Sequence, residues 1–108
     1  MANQSRIGTH ATTVARDSEG VLRVTYHSTP VVTVYPNGRI VLDHGGYMSP
    51  TTKTRMNQAS AQLSLGFKVY QQDFNWYILI DGHDLEWGDD RRREIRHGQS
   101  LAPLAGAV

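Results

Sequence analysis

The stretch Val31-Val32-Thr33-Val34-Tyr35-Pro36-Asn37-Gly38-Arg39-Ile40-Val41-Leu42-Asp43 decides the fold. Val31 to Tyr35 is β-branched at nearly every position, and Arg39 to Asp43 sets Ile40 and Leu42 on one face of a second strand. Between them Pro36 presets φ for the first turn position, Asn37 suits the second and Gly38 supplies the left-handed one. That combination is a type I turn closed by a bulge, so the two strands are antiparallel neighbours.

Working outward, Leu22, Val24 and Tyr26 alternate with Arg23, Thr25 and His27, the period-2 pattern of a half-buried strand. Pro30 cannot donate to a ladder and belongs in the connection or at the start of the next strand. Downstream, Gly45-Gly46 lets the chain leave the sheet, Ser49-Pro50 opens a helix and Gly66 closes it. Thr52, Met56, Ala59 and Leu63 form a narrow stripe at helical spacing, while Lys53, Arg55, Asn57, Gln58, Gln62 and Ser64 lie off it on a face expected to meet water. Phe67 to Tyr70 is a fourth strand, Gln71-Gln72-Asp73 a turn and Phe74 to Ile80 a fifth strand. In that strand Phe74, Trp76, Ile78 and Ile80 share one face, and Asn75, Tyr77 and Leu79 the other. Leu85-Glu86-Trp87 reads as a short sixth strand. The pattern predicts an α+β fold, an antiparallel sheet in β-β-β-α-β-β order with one helix packed on one face.

The chain has 108 residues, of which 39% are hydrophobic and 19% charged, with no cysteine and a net charge of +1. This length holds one modest core, and the composition excludes disulfides and thiolate metal sites. Residues 1–19 show no period and are expected to be a flexible arm, residues 20–98 a single α+β domain, and residues 99–108 a flexible tail. With no targeting or membrane-length apolar segment, the expected home is the cytoplasm of the host cell and no membrane contact is expected. Charge is uneven: residues 1–80 carry a net +3 and residues 81–108 a net −2.

Three segments could carry function. In Thr51-Thr52-Lys53-Thr54-Arg55-Met56-Asn57, hydroxyls and two cations sit in the first turns of the helix, where free amides and the dipole favour an anion. Thr51, Thr52, Lys53, Arg55 and Asn57 are the candidates there. In Arg91-Arg92-Arg93-Glu94-Ile95-Arg96, the arginines at 91, 92 and 93 could meet phosphates, or could be compensated by Asp89, Asp90 and Glu94. In the acidic run from 81 to 90, Asp81, His83, Asp84 and Asp89 are candidate ligands for Mg²⁺ or Mn²⁺, against a plain reading as a solvated loop. His27 and His44 could converge. Tyr26, Tyr35, Tyr70, Trp76 and Tyr77 could stack bases, although aromatic strand residues more often pack a core. No catalytic nucleophile, phosphate loop or cofactor motif is present in the sequence.

The runs Thr33-Val34-Tyr35-Pro36-Asn37-Gly38-Arg39-Ile40, Thr51-Thr52-Lys53-Thr54-Arg55-Met56-Asn57 and Gly66-Phe67-Lys68-Val69-Tyr70-Gln71-Gln72-Asp73-Phe74-Asn75-Trp76 resemble short phage- and prophage-encoded proteins of unknown function. The Thr-Thr-Lys-x-Arg-Met-Asn segment is the most specific of them. The resemblance implies a mobile-element origin and a small accessory role. The expectation is therefore a non-enzymatic accessory protein that binds a host protein or complex, of defence or nucleic-acid processing, through the helix N-terminus and the neighbouring sheet edge. The alternatives are direct nucleic-acid binding and a metal-dependent phosphodiesterase. Pairing of sheet edges could also join two copies.

Overall fold

A computed structural model describes residues 12–46 and 48–97. In chain order it contains β1 (Thr12–Arg16), β2 (Leu22–Tyr26), β3 (Thr29–Val34), β4 (Ile40–Asp43), α1 (Pro50–Gln62), β5 (Phe67–Gln72), β6 (Asn75–Ile80), β7 (His83–Glu86) and β8 (Arg92–Ile95). All strand pairs are antiparallel, and with the one helix this is the α+β fold expected. The strands divide into two sheets, one of five in the order β1-β2-β3-β4-β8 and one of three in the order β5-β6-β7.

The central hairpin forms as its chemistry dictates. Gly38 has φ +91°, its N–H donates to Tyr35 O at 3.0 Å, and Asn37 Oδ1 accepts from Arg39 N. Pro30 lies in β3 beside a register shift between Val24 and Thr25, where the ladder is interrupted and a missing donor costs little. The same shift lets the consecutive Val31 and Val32 both be buried.

Two strands depart from the sequence reading. Thr12–Arg16, placed in the flexible arm, pairs with β2 along its whole length, and the part of the arm before it lies outside the described residues, as does the tail at 99–108. Arg92–Ile95 pairs with β4, setting Ile95 opposite Ile40 and Arg92 opposite Asp43. Neither segment carries an alternating apolar pattern; each becomes a strand because a neighbour supplies the ladder.

The core lies between the sheets. Val24, Val32, Ile40, Leu42 and Ile95 come from the first sheet, Val69, Trp76, Ile78 and Ile80 from the second, and Met56 and Ala59 from α1. Each large apolar side chain buried here contributes about 1.5–3 kcal/mol.

Helix α1 packs chiefly on β5, and on β3 and β2. Its expected stripe is internal at Thr52, Met56 and Ala59, but Arg55, Gln58 and Ser60 are buried too, so the polar face is narrower than periodicity implied. Arg55 turns toward Thr12 of β1 and bonds Gln58, and Ser60 meets the edge of β5. Asn57 Nδ2 donates to Val69 O at 2.9 Å while Val69 N donates to Asn57 Oδ1 at 2.7 Å. Ser60 Oγ makes the same pair of bonds with Phe67, at 2.6 and 2.9 Å. Lys53 Nζ reaches Gln71 Oε1 at 2.9 Å. Asn57 and Ser60, three residues apart, thus stand in for the strand that β5 lacks, and the backbone groups of its edge at Val69 and Phe67 are satisfied by a helix.

Candidate functional site

The anion site expected at the start of α1 is filled by the chain itself. Pro50 has no N–H, Thr52 N donates to Ser49 Oγ at 3.2 Å, and Lys53 N donates to Ser49 O at 3.2 Å. Thr52 is buried, with its hydroxyl 3.1 Å from that of Ser49. Arg55 is buried as well, donating from Nε to Thr12 Oγ1 at 3.0 Å and from Nη1 to Gln58 Oε1 at 3.2 Å, with its guanidinium 5.4 Å from the Tyr26 ring centre. Asn57 and Lys53 serve the β5 edge. Of the five residues expected on this surface, Thr51 alone is fully exposed. A period-based reading assigns polar residues to water; here Lys53 and Asn57 face β5, and Arg55 faces β1 and β2.

The arginines of the second candidate also turn toward the fold. Arg91 Nε and Arg92 Nε lie 3.0 and 3.1 Å from the two carboxylate oxygens of Asp43, a buried side chain that further accepts from Gly45 N at 2.7 Å. This clamp fastens β8 to β4. Arg93 donates to the backbone oxygens of Glu86 and Glu94. The candidate metal ligands do not gather: Asp81 pairs with His97 at 2.7 Å, Asp84 accepts from the Tyr70 hydroxyl at 2.6 Å, and among the described residues no three His, Asp or Glu side chains come together as ligands would.

His27 and His44 do converge, on a cavity of about 430 Å³ that Ser49 and Thr52 also line. His44 Nδ1 accepts from Gly46 N at 3.0 Å, so its proton sits on Nε2. Burial holds its pKa below the usual histidine range. Its ring lies 5.7 Å from that of Trp76 and 5.4 Å from that of Trp87, and the two indoles meet edge to face at 5.5 Å.

The feature that sequence reasoning missed is the tip of the β5–β6 hairpin. Asp73 and Phe74 form its two-residue turn with φ +52° and +70°, and Phe74 is 92% exposed rather than on the buried face of β6. The next hairpin, β6–β7, makes the same turn at Asp81 and Gly82, with φ +53° and +76°. Where one hairpin uses glycine, for which this conformation is free, its neighbour uses an aromatic residue that pays steric strain of about 1–2 kcal/mol. The register was the available signal: pairing Phe67 with Ile80 and Val69 with Ile78 forces the turn onto residues 73 and 74.

Around Phe74 the surface is apolar and acidic together. Met48, 48% exposed, and Phe74 border a cavity of about 280 Å³ that is also lined by His44, Trp76, Glu86 and Asp89. On the outer face of the same sheet, Tyr70 and Tyr77 stack at 5.4 Å beside Leu79, itself partly exposed. The bond to Asp84 pushes the Tyr70 phenol up to about 12. Trp76 is buried, so of the aromatic residues considered for base stacking only Tyr70 and Tyr77 share this open face.

A family model described as Kyanoviridae Gp96 protein matches residues 1–98, and the chain belongs to that phage family. No curated protein and no solved structure matches it. No helix among the described residues is long and apolar enough to cross a membrane.

Proposed function

We propose that this phage-family protein acts without catalysis, by docking onto a protein of the host cell through the tip of its β5–β6 hairpin. The observation that carries the reading is Phe74, held at φ +70° and 92% exposed where the sister hairpin has Gly82. A residue that costs folding energy and buries nothing in its own chain is retained for something outside it. Large aromatic anchors flanked by polar groups are what protein interfaces bury at their centre. The carboxylates of Glu86 and Asp89 beside Phe74 repel phosphate, and Arg91 and Arg92 are engaged with Asp43, which favours a protein partner over nucleic acid.

The test is capture from nuclease-treated host lysate with the tagged wild type, Phe74→Gly and Lys53→Glu. The expected result is a protein retained by the wild type and by Lys53→Glu and lost with Phe74→Gly, whose turn geometry is preserved. Identical capture by wild type and Phe74→Gly, or capture that disappears on nuclease treatment, would overturn the reading.

A further inference from the structure

We infer that the cavity bordered by Phe74 takes a cationic side chain, a lysine or arginine carried by the partner protein; this rests on the docking reading above and specifies its chemistry.

The cavity measures about 280 Å³, the scale of a single long side chain, and combines two kinds of wall. Phe74 and Met48, both exposed, offer aromatic and thioether surface to a methylene stem, and Glu86 and Asp89 offer two carboxylates to its charged end. No lysine or arginine is among its lining residues, Asp73, Asp89 and Asp90 nearby are acidic and exposed, and Arg91, the cation of the segment that follows β7, is paired with Asp43. Arg93 approaches nearby, but it donates to the backbone oxygen of Glu86 and not to its carboxylate. Lys53, whose Nζ lies 5.4 Å from the ring centre of the buried Trp76, is not among the lining residues and is bonded to Gln71. His44, kept neutral by burial, adds no positive charge to oppose an incoming cation.

An apolar partner residue would gain from Phe74 and Met48 but would strip water from two carboxylates without compensation. A phosphate or nucleotide would be repelled outright. A lysine or arginine satisfies both walls, and charge complementarity therefore selects it.

The chain has two tryptophans, of which Trp76 lines this cavity and Trp87 meets Trp76 edge to face, so intrinsic emission responds to a change there. The probes are blocked tripeptides, acetyl-Gly-Xaa-Gly-amide, with lysine, arginine or norleucine at the centre, titrated at low salt into the full chain. The lysine and arginine peptides are expected to shift the emission saturably, the norleucine peptide to leave it unchanged. The variant Glu86→Gln/Asp89→Asn, altered at two exposed positions, is expected to weaken binding by roughly fivefold or more. Equal titration by norleucine, an unchanged lysine affinity in the double variant, or no response to any peptide would each sink the inference. Should that happen while Phe74→Gly still abolishes host capture, the docking reading stands and only the cation is wrong. Peptide binding with capture unaffected by Phe74→Gly would leave the cavity assigned and remove the docking reading.

Discussion

At position 74 a local rule is broken with no gain inside the molecule. Replacing Phe74 by glycine relieves about 1–2 kcal/mol of left-handed strain, offset by about 0.5–1 kcal/mol for the wider freedom of glycine in the unfolded chain. Almost no buried area is lost. The expected outcome is a protein as stable as the wild type or more so, by about 0–1.5 kcal/mol, measured by urea denaturation; clear destabilisation would mean that the ring supports the hairpin. Two histidines set opposing pH dependences. His97 Nδ1 and Nε2 lie 2.7 Å from Asp81 Oδ1 and 2.6 Å from Leu65 O, two acceptors that only a doubly protonated ring can serve, and the Asp81 bond chiefly raises its pKa. Its contribution is complete below the ordinary histidine value and is lost as pH rises through the raised one. Burial lowers the pKa of His44, so its contribution is present above the ordinary value and is lost as pH falls below it. Denaturation midpoints should thus fall on both sides of a maximum, and His97→Gln should flatten the alkaline side, above the ordinary histidine value, while leaving the acid side.

At the scale of elements, α1 does the work of a strand. Asn57→Ala removes both partners of the Val69 backbone and leaves an edge N–H and C=O half-buried without bonds, a loss of about 1–3 kcal/mol. Hydrogen exchange resolves the mechanism: the Val69 amide should exchange faster in Asn57→Ala while Phe67, held by Ser60, keeps its protection. Thr51→Ala, at an exposed position of the same helix, should change stability by no more than about 0.5 kcal/mol. Loss of protection at both amides would point to unfolding of the helix rather than an uncovered edge. The edge arrangement also explains why Lys53 and Asn57, in the segment 51–57 expected to bind a partner, turn toward β5. A helix read by period alone has one apolar stripe and a wet remainder, and nothing in residues 50–62 announces that a strand 67–72 lies against the remainder.

At the scale of the whole molecule, the question is whether two sheets make one cooperative unit. Ile95 closes the first sheet and is fully buried, whereas both tryptophans report from the second sheet and its flank. Ile95→Ala should cost about 2–5 kcal/mol, and tryptophan emission and far-ultraviolet dichroism should lose their midpoint together. If emission keeps the wild-type midpoint, the sheets unfold independently and the shared core around Leu42 and Met56 is not coupling them.

The central hairpin, the second pair of strands, the cap at Ser49 and the apolar stripe of α1 were legible in the residues themselves, because turn chemistry and side-chain period act over a few positions. So was the phage origin, from local resemblance. The strands Thr12–Arg16 and Arg92–Ile95, the inward turn of Arg55 and Asn57, and the clamp of Arg91 and Arg92 on Asp43 were decided only in three dimensions. The side-chain contacts depend on partners between 12 and 49 residues away along the chain and the two strands on ladders supplied by β2 and β4, and no local period encodes either. Phe74 lies between the two cases. Its identity is in the sequence, but its exposure follows from the register that pairs Phe67 with Ile80, and that register puts the aromatic ring at the turn instead of in the core.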